Sequence, residues 1–161
     1  MEFMRSVLST FAILDVTVFR RLLVPVDFSA CSLQAARHAC AMTRMVGGSL
    51  ILLHVLDGRV TAEQAGGQLA LLGNEARHPP QLRVVPSVAS DVALTILDVA
   101  HSERADLLIL GTHGRNDLGS GVLGQVAHRL VLAADLPVHL VPERLRALAP
   151  HARWLVSTPE P

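Results

Sequence analysis

The chain has 161 residues, of which half are apolar and 3% aromatic, and its formal net charge is zero. A chain of this length forms one domain, here with an aliphatic core, and its balanced charge argues against a nucleic-acid or membrane partner. Every basic residue apart from histidine is arginine, which excludes chemistry that needs lysine, such as the P-loop lysine or a Schiff base. No apolar run reaches the ~18 residues that a membrane-spanning helix needs.

The first half of the chain alternates strand and helix after an N-terminal extension at residues 1–19. The apolar run Leu22–Val26 predicts a buried strand. Apolar residues at helical spacing predict a helix over Ser32–Met45, which the Gly47-Gly48 pair ends. A second apolar run, Leu50–Val55, predicts the next strand. Together these segments indicate a first strand-helix-strand unit.

The middle of the chain continues this alternation with less regular elements. The segment Thr61–Ala76 starts with a capping-box pattern, which predicts a second helix. The predicted third strand, Leu82–Val88, contains Pro86, and proline favours either an edge position or an early end of the strand because it cannot donate to a central ladder. A third helix is expected to be capped by Ser90 or Asp91 and to run to about residue 102.

The last part of the chain completes the predicted sheet. Ala105–Leu110 is the expected fourth strand, Leu123–Ala134 the fourth helix and Val138–Val141 the fifth strand, followed by a C-terminal tail at residues 143–161. Strands separated by helices of this length favour parallel pairing. The expected fold is therefore an α/β domain with an open, five-stranded parallel sheet and helices on both faces.

The cysteines and histidines do not predict a metal site. Cys31 and Cys40 lie nine residues apart, which suits neither a zinc site nor a disulfide framework, and the eight histidines are scattered without ligand spacing. We therefore expect no metal ligands, and a cytoplasmic chain is the simplest expectation for so few cysteines.

The most informative motif follows the fourth strand. Gly111 and Gly114 lie at the strand exit, and Gly124 follows after nine intervening residues at the expected start of the fourth helix. A glycine at a strand exit permits a turn with positive φ and the close approach of a ligand. A helix start presents unpaired N–H groups to an anion. This spacing indicates a loop that encloses phosphate groups.

Three segments are expected to meet outside the carboxyl ends of the strands, where open α/β sheets bind their ligands. These are Pro25-Val26-Asp27, Val55-Leu56-Asp57 and the glycine loop. A carboxylate at Asp27 suits a ribose hydroxyl or a base amine and would repel phosphate. The alternative is that Asp27 only caps the turn at Phe28-Ser29.

Four segments of the chain, in this order, resemble the universal stress protein family. They are Val24-Pro25-Val26-Asp27-Phe28-Ser29, Leu52-Leu53-His54-Val55, the run from Ala105 to Arg115, and Leu136-Pro137-Val138. The resemblance covers about residues 20–142. It implies a Rossmann-like (adenine nucleotide alpha hydrolase-like) domain that forms a homodimer through the last strand, Val138–Val141. The resemblance also implies that the chain belongs to one of two subgroups of the family: members that bind ATP and members that do not bind nucleotide.

The resemblance implies a nucleotide site and no catalytic residue. The residues that it assigns to ATP, with or without Mg²⁺, are Pro25, Val26, Asp27, Val55, Leu110, Gly111, His113, Gly114, Arg115, Gly124, Gln125 and Val126. The departure from the family motif is Gln125, where the ATP-binding members have serine or threonine. A glutamine amide either reaches the same phosphate oxygen or crowds the site.

Two functions remain open at this point, beside a third, an enzyme such as a slow ATPase or a nucleotidyl-transfer relative, against which the lack of lysine and of a nucleophile-base pair argues. The first is a cytoplasmic regulatory module that binds ATP or a related adenine nucleotide, with at most a slow ATPase activity. The second is a dimeric interaction protein of the same fold that binds no nucleotide, because Gln125 fills the phosphate position. No nucleic-acid or membrane partner is expected for either.

Overall fold

A computed structural model describes residues 19–115 and 123–144 of the chain. Within these ranges, strands and helices alternate. The strands are β1 (Arg21–Pro25), β2 (Ser49–Leu56), β3 (Gln81–Pro86), β4 (Leu107–Gly111) and β5 (Val138–Val141). The helices are α1 (Ala30–Val46), α2 (Ala62–Gly73), α3 (Val92–Ser102) and α4 (Gln125–Ala133). Of the predicted N-terminal extension and C-terminal tail, all but Phe19, Glu143 and Arg144 lie outside the described residues.

The five strands form one parallel sheet in the order β3-β2-β1-β4-β5. The predicted fold class, an α/β Rossmann-like sheet with helices on both faces, is confirmed. The edge position that Pro86 predicts for β3 is also confirmed, because β3 pairs with β2 alone. The other edge strand is β5, whose one neighbour in the sheet is β4.

Two aliphatic cores cover the two faces of the sheet. Leu22 and Val24 of β1 belong to the core beneath α1 and α2, whereas Leu23 between them belongs to the core beneath α3 and α4. Because successive side chains of a strand point to opposite faces, a strand covered on both sides needs a continuous apolar run. This requirement explains the apolar runs of β1, β2 and β4, of which the run in β2 is interrupted by the buried His54.

The third strand ends at Pro86 rather than at Val88, which confirms the early end that Pro86 indicates. Its continuation is a tight turn in which the Asp91 N–H donates to the Val88 carbonyl (2.8 Å). Ala89 and Ser90 occupy the centre of this turn with left-handed φ values of 50° and 57°. Extended pairing cannot pass through such a turn, so the strand stops and Asp91 caps α3 directly after it.

Candidate functional site

The order of the strands creates a crevice between β1 and β4. These two strands are neighbours in the sheet, yet the chain leaves β1 toward α1 on one face and leaves β4 toward α4 on the other. The connections after β1 and β4 therefore diverge at the carboxyl edge of the sheet. Open α/β sheets bind their ligands at such a switch in strand order.

The turn after β1 is held by the carboxylate of Asp27. Its Oδ1 accepts a hydrogen bond from the Ser29 N–H (2.9 Å), and its own N–H donates to Ser32 Oγ (3.3 Å). The residue between Asp27 and Ser29 is Phe28, which has a left-handed φ of 62°. Asp27 thus stabilises the local turn, which is the role expected of a residue that caps the turn at Phe28-Ser29.

Asp27 also reaches the glycine loop. Its second oxygen, Oδ2, accepts a hydrogen bond of 2.7 Å from the N–H of Arg115, which is 88 residues away in the chain. One carboxylate therefore joins the connection after β1 to the connection after β4. Each oxygen accepts one backbone N–H in this arrangement.

The pKa of Asp27 is below its usual range. Burial on its own would raise the pKa, but hydrogen bonds from the Ser29 side chain and from the Ser29 and Arg115 N–H groups outweigh burial and lower it. Asp27 is consequently ionised at neutral pH. An ionised carboxylate accepts hydrogen bonds from hydroxyl or amine groups and repels phosphate.

The buried His54 supports the same turn from the neighbouring strand. Its Nδ1 lies 2.7 Å from the Val26 carbonyl oxygen, so Nδ1 carries a proton and donates it. The ring also packs against Phe28, with 4.8 Å between the centroids. His54 is only 4% exposed and therefore positions the Asp27 turn from inside the core.

The loop after β4 is closed at its base by the backbone. The Thr112 N–H donates to the Val141 carbonyl (3.1 Å), and the Thr112 carbonyl accepts from the Gly124 N–H (2.8 Å). Because Thr112 directly follows Gly111, its hydrogen bond to Gly124 holds the first and last glycines of the motif close together. Backbone closure of this kind brings the start of α4 next to the exit of β4.

Gly111 is required for a reason different from the predicted one. Its φ is not in the left-handed region, so the expectation of a positive-φ turn at this strand exit is wrong. A Cβ on Gly111 would lie 2.8 Å from the Cβ of Cys31 and 2.9 Å from the backbone nitrogen of Ser32. Glycine is needed here because the first turn of α1 packs directly on the loop.

The start of α4 lacks a side-chain cap. Gly124 precedes the helix with extended dihedrals (φ −66°, ψ 160°), and α4 begins at Gln125 rather than at the predicted Leu123. The first N–H groups of a helix have no intrahelical acceptor and carry the positive end of the helix dipole. Val126, in this first turn, lines the same cavity as Asp27. The start of α4 is thus able to attract an anion.

A single cavity of about 230 Å³ gathers nearly all of the predicted site residues. Every predicted residue except Gly124 lines it, namely Pro25, Val26, Asp27, Val55, Leu110, Gly111, His113, Gly114, Arg115, Gln125 and Val126. Gly124 lies at its margin, where its N–H binds the Thr112 carbonyl. The ring of His113 is beside the Thr112 hydroxyl, with 3.1 Å between Nδ1 and Oγ1.

Sequence reasoning missed the apolar inner wall of this cavity. The additional lining residues are the apolar Leu53, Val92, Ile96, Ala127 and Leu130, together with the polar Ser32. Strand and helix periodicity would have found most of them. Leu53 lies two residues before Val55 on the same face of β2, and Ile96 lies one turn after Val92 on α3.

Two residues expected at the meeting point, Leu56 and Asp57, do not line the cavity. Asp57 binds Arg59 instead, through the Arg59 N–H (3.1 Å) and guanidinium (3.3 Å). The chain has turned away from the sheet by Asp57, since β2 ends at Leu56. Asp27 is therefore the acidic residue among those that line the cavity.

Comparison with known proteins identifies the family. The model of the universal stress protein family matches residues 19–142. The chain belongs to the universal stress protein family. Universal stress protein MJ0531 from Methanocaldococcus jannaschii is 26% identical over 140 residues, which cover 77% of this chain and 82% of the relative.

Solved structures of the family share the fold. A universal stress protein in complex with cAMP superposes with a TM-score of 0.63 at 18% identity, covering 78% of this chain and 98% of that structure. The universal stress protein from Archaeoglobus fulgidus in complex with dAMP gives a TM-score of 0.58 at 21% identity, covering 77% and 98%. At these identities the similarity establishes the fold.

Two further observations limit the chemistry of the described residues. Within residues 19–115 and 123–144, no helix is long and apolar enough to cross a membrane. In the same ranges, no group of three or more histidine, cysteine, aspartate or glutamate side chains within one copy of the chain is placed to hold a metal ion.

Proposed function

We propose that this universal stress protein is a regulatory module that binds ATP or a related adenine nucleotide, with or without Mg²⁺, and that it is not an enzyme. The observation that carries the proposal is the uncapped start of α4, which shares a cavity with the ionised carboxylate of Asp27. This pairing suits a ligand that has an anionic end and a hydroxyl-bearing end.

The residues present fit the parts of such a nucleotide. The inner wall, with Val55, Ile96 and Leu110, suits a flat base. Asp27 would accept a hydrogen bond from a ribose hydroxyl, and the first turn of α4 with Arg115 would receive the phosphates. The cAMP and dAMP complexes of the two family members support an adenine nucleotide as the ligand.

Few groups in the cavity are able to catalyse a reaction. Among the described lining residues the titratable side chains are Asp27, His113 and Arg115, and the low pKa of Asp27 makes it a poor proton acceptor. We expect ATP turnover no faster than the background of the assay. Turnover that disappears in a folded Asp27→Ala variant would contradict this expectation.

The first experiment is mass spectrometry of small molecules released from freshly purified protein, followed by titration with ATP. We expect an adenine nucleotide. Gln125 stands where the family motif has serine or threonine, and Gln125→Ser restores a short hydroxyl next to the helix start. This variant should bind ATP about tenfold more tightly than the wild type, the equivalent of one added hydrogen bond to a charged group.

Gln68→Ser is the matched control, because Gln68 is exposed on α2, away from the cavity. Its ATP affinity should equal that of the wild type. If neither the wild type nor Gln125→Ser binds any adenine nucleotide at millimolar concentration, the proposal is wrong. That result would favour the alternative, an interaction protein of this fold without nucleotide.

We further propose a cytoplasmic homodimer that pairs through β5. Val138 and Leu140 are half-buried on this edge strand, which has one side unpaired within the described sheet. Unpaired edges of short apolar strands tend to pair with a second copy. Sedimentation at micromolar concentration should give twice the monomer mass, and a monomer would contradict the dimer. The two described cysteines are free thiols, which suits a reducing compartment.

A further inference from the structure

The loop after β4 lines the nucleotide cavity and is attached to the domain by two different kinds of contact. At the start of the loop, the N–H and the carbonyl of Thr112 bind the backbone of Val141 (3.1 Å) and Gly124 (2.8 Å). Three residues later, the N–H of Arg115 donates to Oδ2 of Asp27 (2.7 Å). The first attachment needs no side chain, whereas the second depends on the carboxylate of Asp27.

The carboxylate of Asp27 is itself held in place from the core. Its Oδ1 accepts the Ser29 N–H (2.9 Å), and the Asp27 N–H donates to Ser32 Oγ (3.3 Å). The hydroxyl of Ser32 in turn donates to the Ser29 carbonyl (3.1 Å). The buried His54 donates from Nδ1 to the Val26 carbonyl, directly before Asp27. Asp27 therefore offers its Oδ2 to the loop from a fixed position.

We propose that Asp27 is a positioning residue for the phosphate end of the ligand: by holding the Arg115 N–H, its carboxylate keeps the loop after β4 in the arrangement that receives the phosphates. This role rests on the nucleotide-binding function proposed above. It is additional to the contact of Asp27 with a ribose hydroxyl, and it links the two ends of the cavity through one side chain.

The charge of Asp27 and its contact with the loop predict opposite effects on phosphate binding. A carboxylate in the cavity repels an anion, so charge alone predicts that phosphates bind more tightly once Asp27 is neutralised. If the carboxylate holds the loop, the same change weakens phosphate binding, because the loop then has to be ordered at the expense of binding free energy. The sign of the effect therefore separates the two roles.

The test is the ratio of ATP affinity to adenosine affinity in Asp27→Asn, measured by calorimetric titration. Asparagine forms the same local turn through its one oxygen, which leaves its NH₂ group facing the N–H of Arg115, so this contact is lost. A changed ribose contact affects both ligands and cancels in the ratio. We expect the ratio to fall about tenfold relative to the wild type. An unchanged or increased ratio would overturn the positioning role.

Asp57→Asn is the matched control. Asp57 makes the same local turn, because its Oδ1 accepts the N–H of Arg59 two residues later (3.1 Å), but it does not line the cavity. Its ratio of ATP to adenosine affinity should equal that of the wild type. An equal fall in Asp27→Asn and Asp57→Asn would show that the contact with Arg115 is not the cause, and would also overturn the proposal.

Amide hydrogen exchange, followed by NMR without ligand, tests the attachment of the loop directly. The Arg115 N–H should exchange at least about tenfold faster in Asp27→Asn than in the wild type, because it loses its acceptor. The Gly124 N–H, which binds the Thr112 carbonyl, should keep its rate. Unchanged exchange at Arg115 would overturn the proposal.

The two measurements separate this role from the proposed function. If the wild type binds ATP and the affinity ratio is the same in Asp27→Asn, the positioning role alone is wrong. If the wild type binds neither ATP nor adenosine, the proposed function is wrong and the role in phosphate binding is wrong with it. The exchange rate at Arg115 then still shows whether Asp27 holds the loop.

Discussion

The four described helices all start at the carboxyl edge of the sheet, but they start in two ways. α1, α2 and α3 are capped by the side chains of Ser29, Thr61 and Asp91, each of which accepts a backbone N–H of the first turn. α4 follows Gly124, which offers no side chain. Capped starts stabilise the fold, whereas a start without a side-chain cap has no capping group that competes with an anion. The difference separates the structural helix ends from the binding one.

The helices α1 and α4 show this difference at the same cavity. Near α1, the N–H of Ser32 is satisfied by Ser29 Oγ (3.2 Å), and the negative charge of Asp27 lies directly before the helix. An anionic ligand is repelled there. At α4 the adjacent side chains are Gln125 and Val126, which carry no charge. Phosphate groups are therefore expected at α4 and not at α1.

The largest expected effect comes from giving α4 a cap like those of the other helices. In Gly124→Asp, a carboxylate would occupy the helix start and repel phosphate. ATP affinity should fall about 100-fold, the equivalent of roughly 3 kcal/mol. Isothermal titration measures this change, and Gly124→Ala reports the effect of added volume without charge. Equal affinities for Gly124→Asp and Gly124→Ala would mean that the open helix start does not bind the phosphates.

The next largest effect is expected from a substitution that disturbs the contact between α1 and the loop after β4. In Gly111→Ala, the new Cβ meets the backbone of Cys31 and Ser32 at 2.8–2.9 Å, so the backbone of α1 or of the loop must shift. We expect the free energy of unfolding to fall by about 1–3 kcal/mol in urea titrations.

The matched control for Gly111 is Gly67→Ala, inside α2. A Cβ there has no neighbour within 4 Å, and alanine is the better helix former by about 1 kcal/mol. The control should therefore stabilise the protein. Destabilisation of equal size at Gly111 and Gly67 would contradict the close packing of α1 on the loop.

A smaller effect tests the capped helix starts. The Thr61 hydroxyl accepts a hydrogen bond from the Gln64 N–H at the start of α2, and the Gln64 side-chain oxygen accepts one from the Thr61 N–H. Thr61→Ala should lower the free energy of unfolding by about 1 kcal/mol and leave ATP affinity unchanged. If Thr61→Ala also lowered ATP affinity, the capped start of α2 would contribute to ligand binding, and the distinction between the capped helix starts and the start of α4 would be wrong.

The smallest expected effect is the loss of unfolding free energy at low pH that is caused by protonation of Asp27. Because the pKa of Asp27 is lowered in the folded state, its contribution to stability is complete above the unfolded pKa of about 3.9 and is lost as the pH falls through the folded pKa. Wild-type protein should therefore lose more unfolding free energy below about pH 4 than Asp27→Asn does. Urea titrations across this range measure the difference, and identical pH profiles would contradict the hydrogen bonds assigned to Asp27.

The fold was predictable because its signals are local and repeated. β5 has the predicted bounds, Val138–Val141, and the strands β1, β2 and β4 follow apolar runs that burial on both faces requires. An early end of β3 was one of the two possibilities that Pro86 indicated, but the turn after it was not predictable, since the left-handed conformations of Ala89 and Ser90 are unusual for these residue types.

The residues of the site that belong to a local sequence motif were predictable. The contacts between residues far apart in the chain were not. The glycine spacing and Asp27 led to one cavity. The hydrogen bond from the Arg115 N–H to Asp27 joins residues 88 positions apart, and no local pattern encodes it. The close packing of Cys31 on Gly111 is equally long-range, which is why the reason for that glycine was wrong.

The measurement that tests the central claim most directly is calorimetric titration of the wild-type protein with ATP and, in parallel, with adenosine. The two ligands share the base and the ribose, so their difference in affinity reports the phosphate contacts at the start of α4. We expect ATP to bind at least about tenfold more tightly than adenosine, as one or more charge-assisted hydrogen bonds require. Equal affinities for ATP and adenosine, or no heat of binding with ATP at millimolar concentration, would contradict the account.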